Sequence, residues 1–503
     1  MSNHPKFISL RRDYPKFIYE SYAWKWVDID GIAEKRTLRI SFVFKVLDAG
    51  GNEAFVFEPS VLLSLPFDSP YSESEAHNNS QINTLAFNCG MIEMISCWKA
   101  TCSPVTQVIC GTLTDEQQAW WKRIYFNGLG EFFYVNGIDT DCEWFMRLQN
   151  IVQTGGKAIN TEQGKAQNCT EYNIADKANE KILVPVGGGK DSCVTLELLK
   201  KIYRPRDREI LVPFIINPRK ATEKCCEKAG FAMSDVVVMY RTIDPLLLEM
   251  NRRGFLNGHT PFSAMLAFYS TVAATLAGAK YIVLSNESSA NEATVTAGSA
   301  GGNGVNHQYS KSFEFETDFQ LYAEKFLFHN NTTCPKYFSL LRPFSEAHIA
   351  KIFSQYPQYF DVFKSCNVGS KTDSWCGHCA KCLFVYIILA PFLPPETLRK
   401  IFNGKNLLDD ISLQKEFDEL AGAVNIKPFE CVGTVDEINW ALQQISEKHS
   451  GILLDHYKTL AVSKIPQLTE KIFALTPDHA LPPLFEDFFK NNYYVGKGED
   501  SCC

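Results

Sequence analysis

The fold of this chain is constrained most by one stretch of sequence, in which an apolar strand pattern is followed by glycines and then by a helical pattern. Residues 182–186 are apolar throughout, residues 187–189 are all glycine, and the apolar spacing over 194–199 is typical of a helix. Apolar runs of this length without polar alternation are typical of strands that are buried on both faces. The pattern predicts a buried strand, a tight loop and a helix.

Further apolar runs repeat this strand pattern downstream. Helical patterns separate them, so we predict βαβ units that form a doubly wound, parallel α/β sheet. The long uncharged stretch 260–279 contains proline, serines and threonines, and we interpret it as a helix buried against that sheet rather than a membrane span. The predicted strands after the first are 210–216, 236–239, 281–285 and 337–341.

The rest of the chain divides around this unit. Residues 1–150 predict an N-terminal α+β domain, 151–180 a polar linker, 181–395 the sheet domain, and 396–503 a helical C-terminal region. Local signals support the two flanking parts. A strand hairpin is predicted over 40–57, and helices are predicted to begin at the capping boxes Thr114–Gln117 and Thr434–Glu437.

Charge and cysteine content limit the possible partners. The 503 residues include 50 basic and 57 acidic ones, for a net charge of −7, which argues against a nucleic-acid partner. The first thirty residues lack the apolar run of a signal peptide. We therefore expect a cytoplasmic protein with no membrane partner, whose 17 cysteines are reduced thiols or metal ligands.

The glycine loop predicts a phosphate site. Gly187, Gly188 and Gly189 let backbone approach an anion closely, and the helix start offers free N–H groups. Lys190 and Ser192 add a cation and a hydroxyl. Lys190 is followed by Asp191 rather than by serine or threonine, so the spacing does not fit a Walker A loop. It does not fit a dinucleotide fingerprint either, because the third glycine, expected three residues after the second, is missing.

Residues 187–192 resemble the pyrophosphate loop (PP-loop) of the ATP-pyrophosphatase superfamily, with Gly187 in place of the usual serine. The resemblance implies cleavage of ATP between its α and β phosphates and transfer of AMP to a substrate oxygen. It implies that Gly188, Gly189, Asp191 and Ser192 bind the pyrophosphate portion. Asp191 would also hold Mg²⁺, directly or through water.

Four cysteines predict a metal site. Cys366, Cys376, Cys379 and Cys382 include two C-x-x-C steps, which suit a tetrahedral zinc ion. A site with four cysteine ligands leaves no open position, so the zinc would be structural. An iron–sulfur cluster and four buried thiols without metal are the alternatives. The spacing is similar to that of 7-cyano-7-deazaguanine synthases, which share the pyrophosphate loop.

Polar residues are dense after the fourth predicted strand. Ligands of a doubly wound sheet bind outside the carboxyl ends of its strands, so these residues are candidates for substrate contact and proton transfer. Residues 298–304 could form a mobile lid, and a solvated loop is the alternative reading. The candidates for proton transfer are Glu287, Glu292, His307, Tyr309 and Lys311. Four basic residues could contact an acidic substrate or could lie on the surface: Arg252, Arg253, Arg342 and Lys364.

Several stretches together resemble one family, the UDP-N-acetyl-α-D-muramoyl-L-alanyl-L-glutamate epimerases of peptidoglycan synthesis. The resemblance covers about 181–442. It implies that ATP and Mg²⁺ serve to invert the terminal glutamate of a UDP-N-acetylmuramoyl dipeptide from L to D. The stretches are 186–192, 285–292, 305–312, 337–343, 375–382, 406–410 and 427–433.

The implied reaction has a physical reason. The Cα proton beside a carboxylate is hard to remove, because the carbanion would place a second negative charge next to that of the carboxylate. Adenylation removes the charge of the carboxylate. A base then takes the proton, a donor returns one on the other face, and water releases AMP; we draw these roles from the five candidates. Another carboxylate- or base-activating PP-loop enzyme and a non-catalytic nucleotide sensor are the alternatives. The oligomeric state is left open.

Overall fold

A computed structural model describes ten parts of the chain, and all structural statements below concern these residues. The predicted linker falls almost wholly outside them. The described residues are 4–28, 35–66, 80–151, 181–291, 306, 308–329, 333–424, 427–445, 448–460 and 468–493.

The strands of the described residues form one sheet of 11 strands. The strands are β1 (Lys16–Val27), β2 (Lys35–Leu47), β3 (Glu53–Phe57), β4 (Ser60–Pro66), β5 (Val105–Val108), β6 (Arg147–Asn150), β7 (Lys181–Pro185), β8 (Leu211–Ile216), β9 (Val237–Arg241), β10 (Ala279–Leu284) and β11 (Lys336–Ser339).

The strand order is β11-β10-β7-β8-β9-β4-β2-β1-β5-β6, with β3 paired to β2. Strands β7 to β11 pair in parallel, so the predicted parallel α/β sheet is confirmed, as is the antiparallel β2–β3 hairpin. Chain order reverses at β7, between β8 on one side and β10 on the other. Such a switch point opens a crevice at the carboxyl ends of the strands.

The N-terminal residues continue this sheet. Strand β4 pairs antiparallel with β9, from Val61 opposite Arg241 to Ser64 opposite Val238. We predicted a separate α+β domain for 1–150, and the structure joins that part to the central sheet through backbone hydrogen bonds.

Helices cover both faces of the sheet. From residue 395 onward the described residues contain helices and no strand. The α-helices are Pro5–Asp13, Ser80–Trp98, Asp115–Gly128, Gly130–Val135, Lys190–Tyr203, Asp207–Ile210, Lys220–Ala229, Pro245–Arg252, Phe262–Ala277, Phe313–Tyr322, Glu346–Phe353, Ala380–Leu389, Pro395–Ile401, Gln414–Ala421, Val435–Ile445, Ile452–Thr459, Leu468–Phe473 and Pro483–Tyr493.

Alternate strand residues enter two separate cores, as the period of a strand requires. In β7, Leu183 joins the core that contains the helices Ser80–Trp98 and Phe262–Ala277. Ile182 and Val184 join the core on the other face, which holds the C-terminal helices. Both faces of the parallel strands are therefore buried, which explains their continuous apolar sequence.

Local sequence signals fold as predicted. Thr114 and Gln117 form a reciprocal capping box, and Thr434 and Glu437 exchange the same two bonds. The uncharged stretch 260–279 contains the buried helix Phe262–Ala277. Among the helices of the described residues, none pairs the length with the apolar character that a membrane span requires.

A buried ion pair ties the N-terminal part to the central unit. Arg241 of β9 donates to Glu93 of the helix Ser80–Trp98 at 2.6 and 2.8 Å, and Tyr269 also donates to Glu93. The Glu93 side chain is 2% exposed, so its charge depends on these partners.

Arg241→Met should therefore lower the free energy of unfolding by about 3–5 kcal/mol, because it leaves the Glu93 charge buried without a cation. Arg252→Met is the control, since the Arg252 side chain is 76% exposed and its pair with Glu249 should contribute at most about 1 kcal/mol. Thermal and urea unfolding measure both. Equal losses in the two variants would contradict the role given to Glu93.

Candidate active site

The glycine loop joins β7 to the helix Lys190–Tyr203 at the switch point of the sheet. Gly188 has φ +79°, a conformation that strongly favours glycine, and it packs against the backbone of Thr222. A Cβ on Gly189 would lie 2.7 Å from Ser365 Oγ. A Cβ on Gly187 would meet no atom within 4 Å, so the absence of a serine there removes a hydroxyl without relieving any crowding.

Lys190 points inward from this loop rather than toward solvent. Its side chain is 1% exposed, and Nζ pairs with both Asp191 and Glu346. Burial lowers the pKa of Lys190, but these two carboxylates raise it by more, so Lys190 remains an ammonium ion. Ser192 is buried, and its hydroxyl donates to the Gly189 carbonyl at 3.0 Å. Lys190 therefore balances carboxylate charge beneath the loop.

Three carboxylates converge at this point. Oxygens of Asp191, Glu287 and Glu346 all lie within 4.8 Å of one another. Glu287 follows β10, and Glu346 begins the helix after β11, whose N-cap is Ser345. The sequence prediction included Asp191 and Glu287 but missed Glu346, whose only signal was an acidic residue after a possible N-cap.

The carboxylates carry more negative charge than Lys190 balances. Burial, Asp191 and Glu287 raise the pKa of Glu346 to about 8, against the opposing effect of Lys190. Carboxylate oxygens grouped this closely are ligands that a hard divalent cation prefers. The residues present therefore fit the Mg²⁺ that the sequence predicts.

Arg342 lies beneath the site. Its guanidinium is fully buried and donates to the backbone oxygens of Glu287 and Lys311 at 2.7 and 2.6 Å. It also donates to the carboxylate of Glu316 at 2.9 Å. We offered Arg342 as a substrate contact or a surface residue. The structure shows neither, and Arg342 instead holds Glu287 and Lys311 in place.

Lys311 contacts a cysteine that the sequence prediction did not select. Lys311 Nζ donates to the sulfur of Cys431 at 3.1 Å. Burial lowers the pKa of Lys311, but Cys431 and Glu287 raise it by more, so the ammonium form is favoured. Lys381 donates to the backbone carbonyl of Cys431 and fixes that loop.

The N-terminal part supplies ionisable groups near Lys311. His259 Nδ1 lies 3.2 Å from Glu131 Oε2. Burial, Lys99 and Lys311 lower the pKa of His259 to about 4, while burial and Glu430 raise that of Glu131 to about 7. His259 belongs to the central unit and Glu131 to the N-terminal part, so the contact between them and the effect of Glu430 on Glu131 bring the N-terminal part close to this region.

The remaining candidates lie elsewhere. Tyr309 is buried, its ring lies 6.1 Å from that of Phe315, and burial raises its pKa. Its hydroxyl is buried and has no hydrogen-bond partner among the described residues. Glu292, His307 and the lid predicted over 298–304 lie outside the described residues.

The four cysteines of the predicted metal site come together. Their sulfurs all lie within 4.8 Å, with 3.8 Å between Cys366 and Cys379 and 3.6 Å between Cys376 and Cys382. Ligands about 2.3 Å from a tetrahedral zinc ion lie about 3.8 Å apart. The backbone N–H of Gly369 donates to Cys366 at 3.1 Å, as expected for a thiolate ligand. The donor set fits zinc, and iron stays the alternative.

The cysteine site adjoins the glycine loop through three consecutive residues. The Lys364 N–H donates to the Gly188 carbonyl at 2.8 Å, Ser365 packs against Gly189, and Cys366 is a predicted ligand. A metal at the four sulfurs would hold the segment that supports the loop.

The fold and the site define a doubly wound α/β protein with a glycine loop, a carboxylate cluster and a cluster of four cysteines suited to a metal ion. Two family models match the chain, described as the MurL N-terminal domain over residues 24–340 and the MurL C-terminal domain over 362–467. The chain belongs to the MurL family of UDP-N-acetyl-alpha-D-muramoyl-L-alanyl-L-glutamate epimerases.

Three curated relatives carry that epimerase name. The protein of Salinispora tropica is 34% identical over 396 residues, which cover 78% of this chain and 79% of the relative. That of Micromonospora sp. is 32% identical over 437 residues, covering 85% and 89%. That of Xanthomonas oryzae pv. oryzae is 31% identical over 423 residues, covering 80% and 85%. No solved structure matches the chain significantly.

The geometry of the sulfurs predicts about one tightly held zinc ion per chain. Cys376→Ser should abolish most of that metal content and lower the melting temperature, because metal binding contributes folding energy. Cys142→Ser is the control, since Cys142 is half-buried and far in sequence from the four ligands. Elemental analysis of pure protein that finds neither zinc nor iron would refute the site.

Proposed function

We propose that this protein inverts the terminal L-glutamate of UDP-N-acetylmuramoyl-L-Ala-L-Glu to D-glutamate, with ATP as the activating substrate. The observation that carries the proposal is its similarity, over 78–85% of the chain, to proteins with that epimerase name. We also place the reaction in the cytoplasm.

The glycine loop supports the ATP step of the proposal. Gly187 is exposed at the start of the helix Lys190–Tyr203, where unpaired N–H groups and the helix dipole favour a phosphate. Asp191, Glu287 and Glu346 would hold Mg²⁺, which would neutralise phosphate charge. We propose that the substrate carboxylate is adenylated there and that diphosphate leaves.

Adenylation makes the epimerisation chemically accessible. It converts a charged carboxylate into a neutral acyl adenylate, so removal of the Cα proton no longer adds charge to charge. The Lys311 ammonium is suited to stabilise the enolate oxygen that then develops. Arg342 positions Lys311 and Glu287 together through their backbone oxygens.

Product analysis tests the ATP step. Incubation with ATP, Mg²⁺ and the UDP-linked L-Ala-L-Glu should give AMP and diphosphate, and the glutamate should become D. In D₂O the product should carry deuterium at Cα, with no exchange when ATP is left out, because the free carboxylate leaves that proton too weakly acidic. Formation of ADP, or full exchange without ATP, would contradict the proposed activation.

Asp191→Asn should abolish AMP formation, because it removes one of the three charges that would hold Mg²⁺ beside the phosphates. The side chain lies in the first turn of the helix Lys190–Tyr203 and is partly exposed, so the melting temperature should change little. Asp235→Asn, at an exposed position, is the matched control and should keep full activity. Normal AMP formation by the Asp191 variant would remove the loop from the proposed mechanism.

A further inference from the structure

Proton transfer at Cα needs a group that can accept a proton, and the described sequence candidates do not supply a free one. Glu287 belongs to the carboxylate cluster, where a metal ion would occupy its oxygens. Lys311 is held as an ammonium ion by neighbouring charges, and burial raises the pKa of Tyr309, which favours its protonated form. Glu292 and His307 lie outside the described residues. Within the described residues, the acceptor for the proton is therefore one that the sequence prediction did not select.

Cys431 has the placement such a residue needs. Its thiol is half-buried and free, and it accepts a hydrogen bond from Lys311 Nζ at 3.1 Å. Its sulfur is not among the four that form the predicted metal site. The thiolate is the reactive form of cysteine, and a neighbouring ammonium ion stabilises it.

The loop that carries Cys431 is held over the carboxylate cluster. Lys381, which is 7% exposed, donates to the Cys431 carbonyl. Two residues later, a Cβ on Gly433 would lie 3.3 Å from the Cβ of Glu346, so this loop packs directly on the cluster. On the other side, the ring of Phe429 lies 5.3 Å from that of Tyr134. These contacts place the loop that carries Cys431 between Glu346 and the N-terminal part.

We propose that Cys431 is a catalytic residue that exchanges the Cα proton on one face of the adenylated glutamate, and that Lys311, besides its charge on the enolate oxygen, orients the Cys431 thiolate. The proposal rests on the proposed epimerase function and deepens it.

The step balances without a further reactant. The Cys431 thiolate takes the Cα proton and becomes a thiol, while the C–H electron pair passes into the enolate of the acyl adenylate. A donor on the opposite face returns a proton to Cα. The thiol then releases its proton to water and the donor takes one up from water, so both groups return to their starting states. Lys311 keeps its proton throughout and supplies only charge and orientation.

Replacing the thiol should impair inversion of the glutamate while leaving adenylation intact. Cys431→Ser should reduce inversion and deuterium incorporation from D₂O at least about 100-fold relative to AMP formation, because a hydroxyl is a far weaker base than a thiolate. Cys142→Ser, which also alters a half-buried cysteine, should leave that ratio unchanged. Inversion by Cys431→Ser at the wild-type ratio would overturn the proposal.

Lys311 is tested by a readout other than turnover. Peptide mapping after brief iodoacetamide treatment at pH 7.5 should show Cys431 alkylated about tenfold more slowly in Lys311→Met than in the wild type, because the thiolate loses its ammonium partner. Lys311→Arg should restore the rate. A merely structural role would loosen the loop and speed alkylation, so unchanged or faster alkylation in Lys311→Met would contradict the pairing.

Failure of this inference can be told from failure of the proposed function. A wild-type protein that makes no AMP and inverts no glutamate would refute the function itself. A wild type that inverts glutamate, together with a Cys431→Ser variant that inverts it equally well, would refute only the role of Cys431.

Discussion

The ion pairs of Lys190 with Asp191 and Glu346 are the interactions on which the site depends. They draw the residue after the glycines inward and leave the loop to present backbone to solvent. They also join β7 to the helix after β11, two elements far apart in sequence. Without the Lys190 charge, three carboxylates within 4.8 Å would repel one another, and the segments that carry them would no longer be held together.

The four cysteines link the glycine loop to the loop that carries Cys431. Cys366 follows the two residues that support the glycine loop. Cys379 is the N-cap of the helix Ala380–Leu389, which contains Lys381 and thereby holds the Cys431 carbonyl. A single metal ion would thus fix the supports of both the loop and the thiol, although it touches neither. This explains how a site without an open coordination position can still matter for chemistry.

The sequence was sufficient for features set by local pattern. The parallel strands, the buried apolar helix, both capping boxes and the cysteine cluster all follow from spacing or periodicity, and the structure shows each of them. Contacts between distant segments were not predictable in this way. Glu346 and Cys431 carry no local signal for function, and Arg342 looks like a surface cation until its partners at 287, 311 and 316 are known.

The N-terminal part illustrates the same limit, because no pattern in a single strand says which neighbour it will pair with.

The β4–β9 pairing has a consequence for how the protein holds together. Separating the chain between residues 150 and 181 would leave two long strand edges with unpaired backbone groups, and such edges attract other chains. The N-terminal part therefore covers one edge of the parallel strands. Neither half is expected to remain monomeric when produced alone.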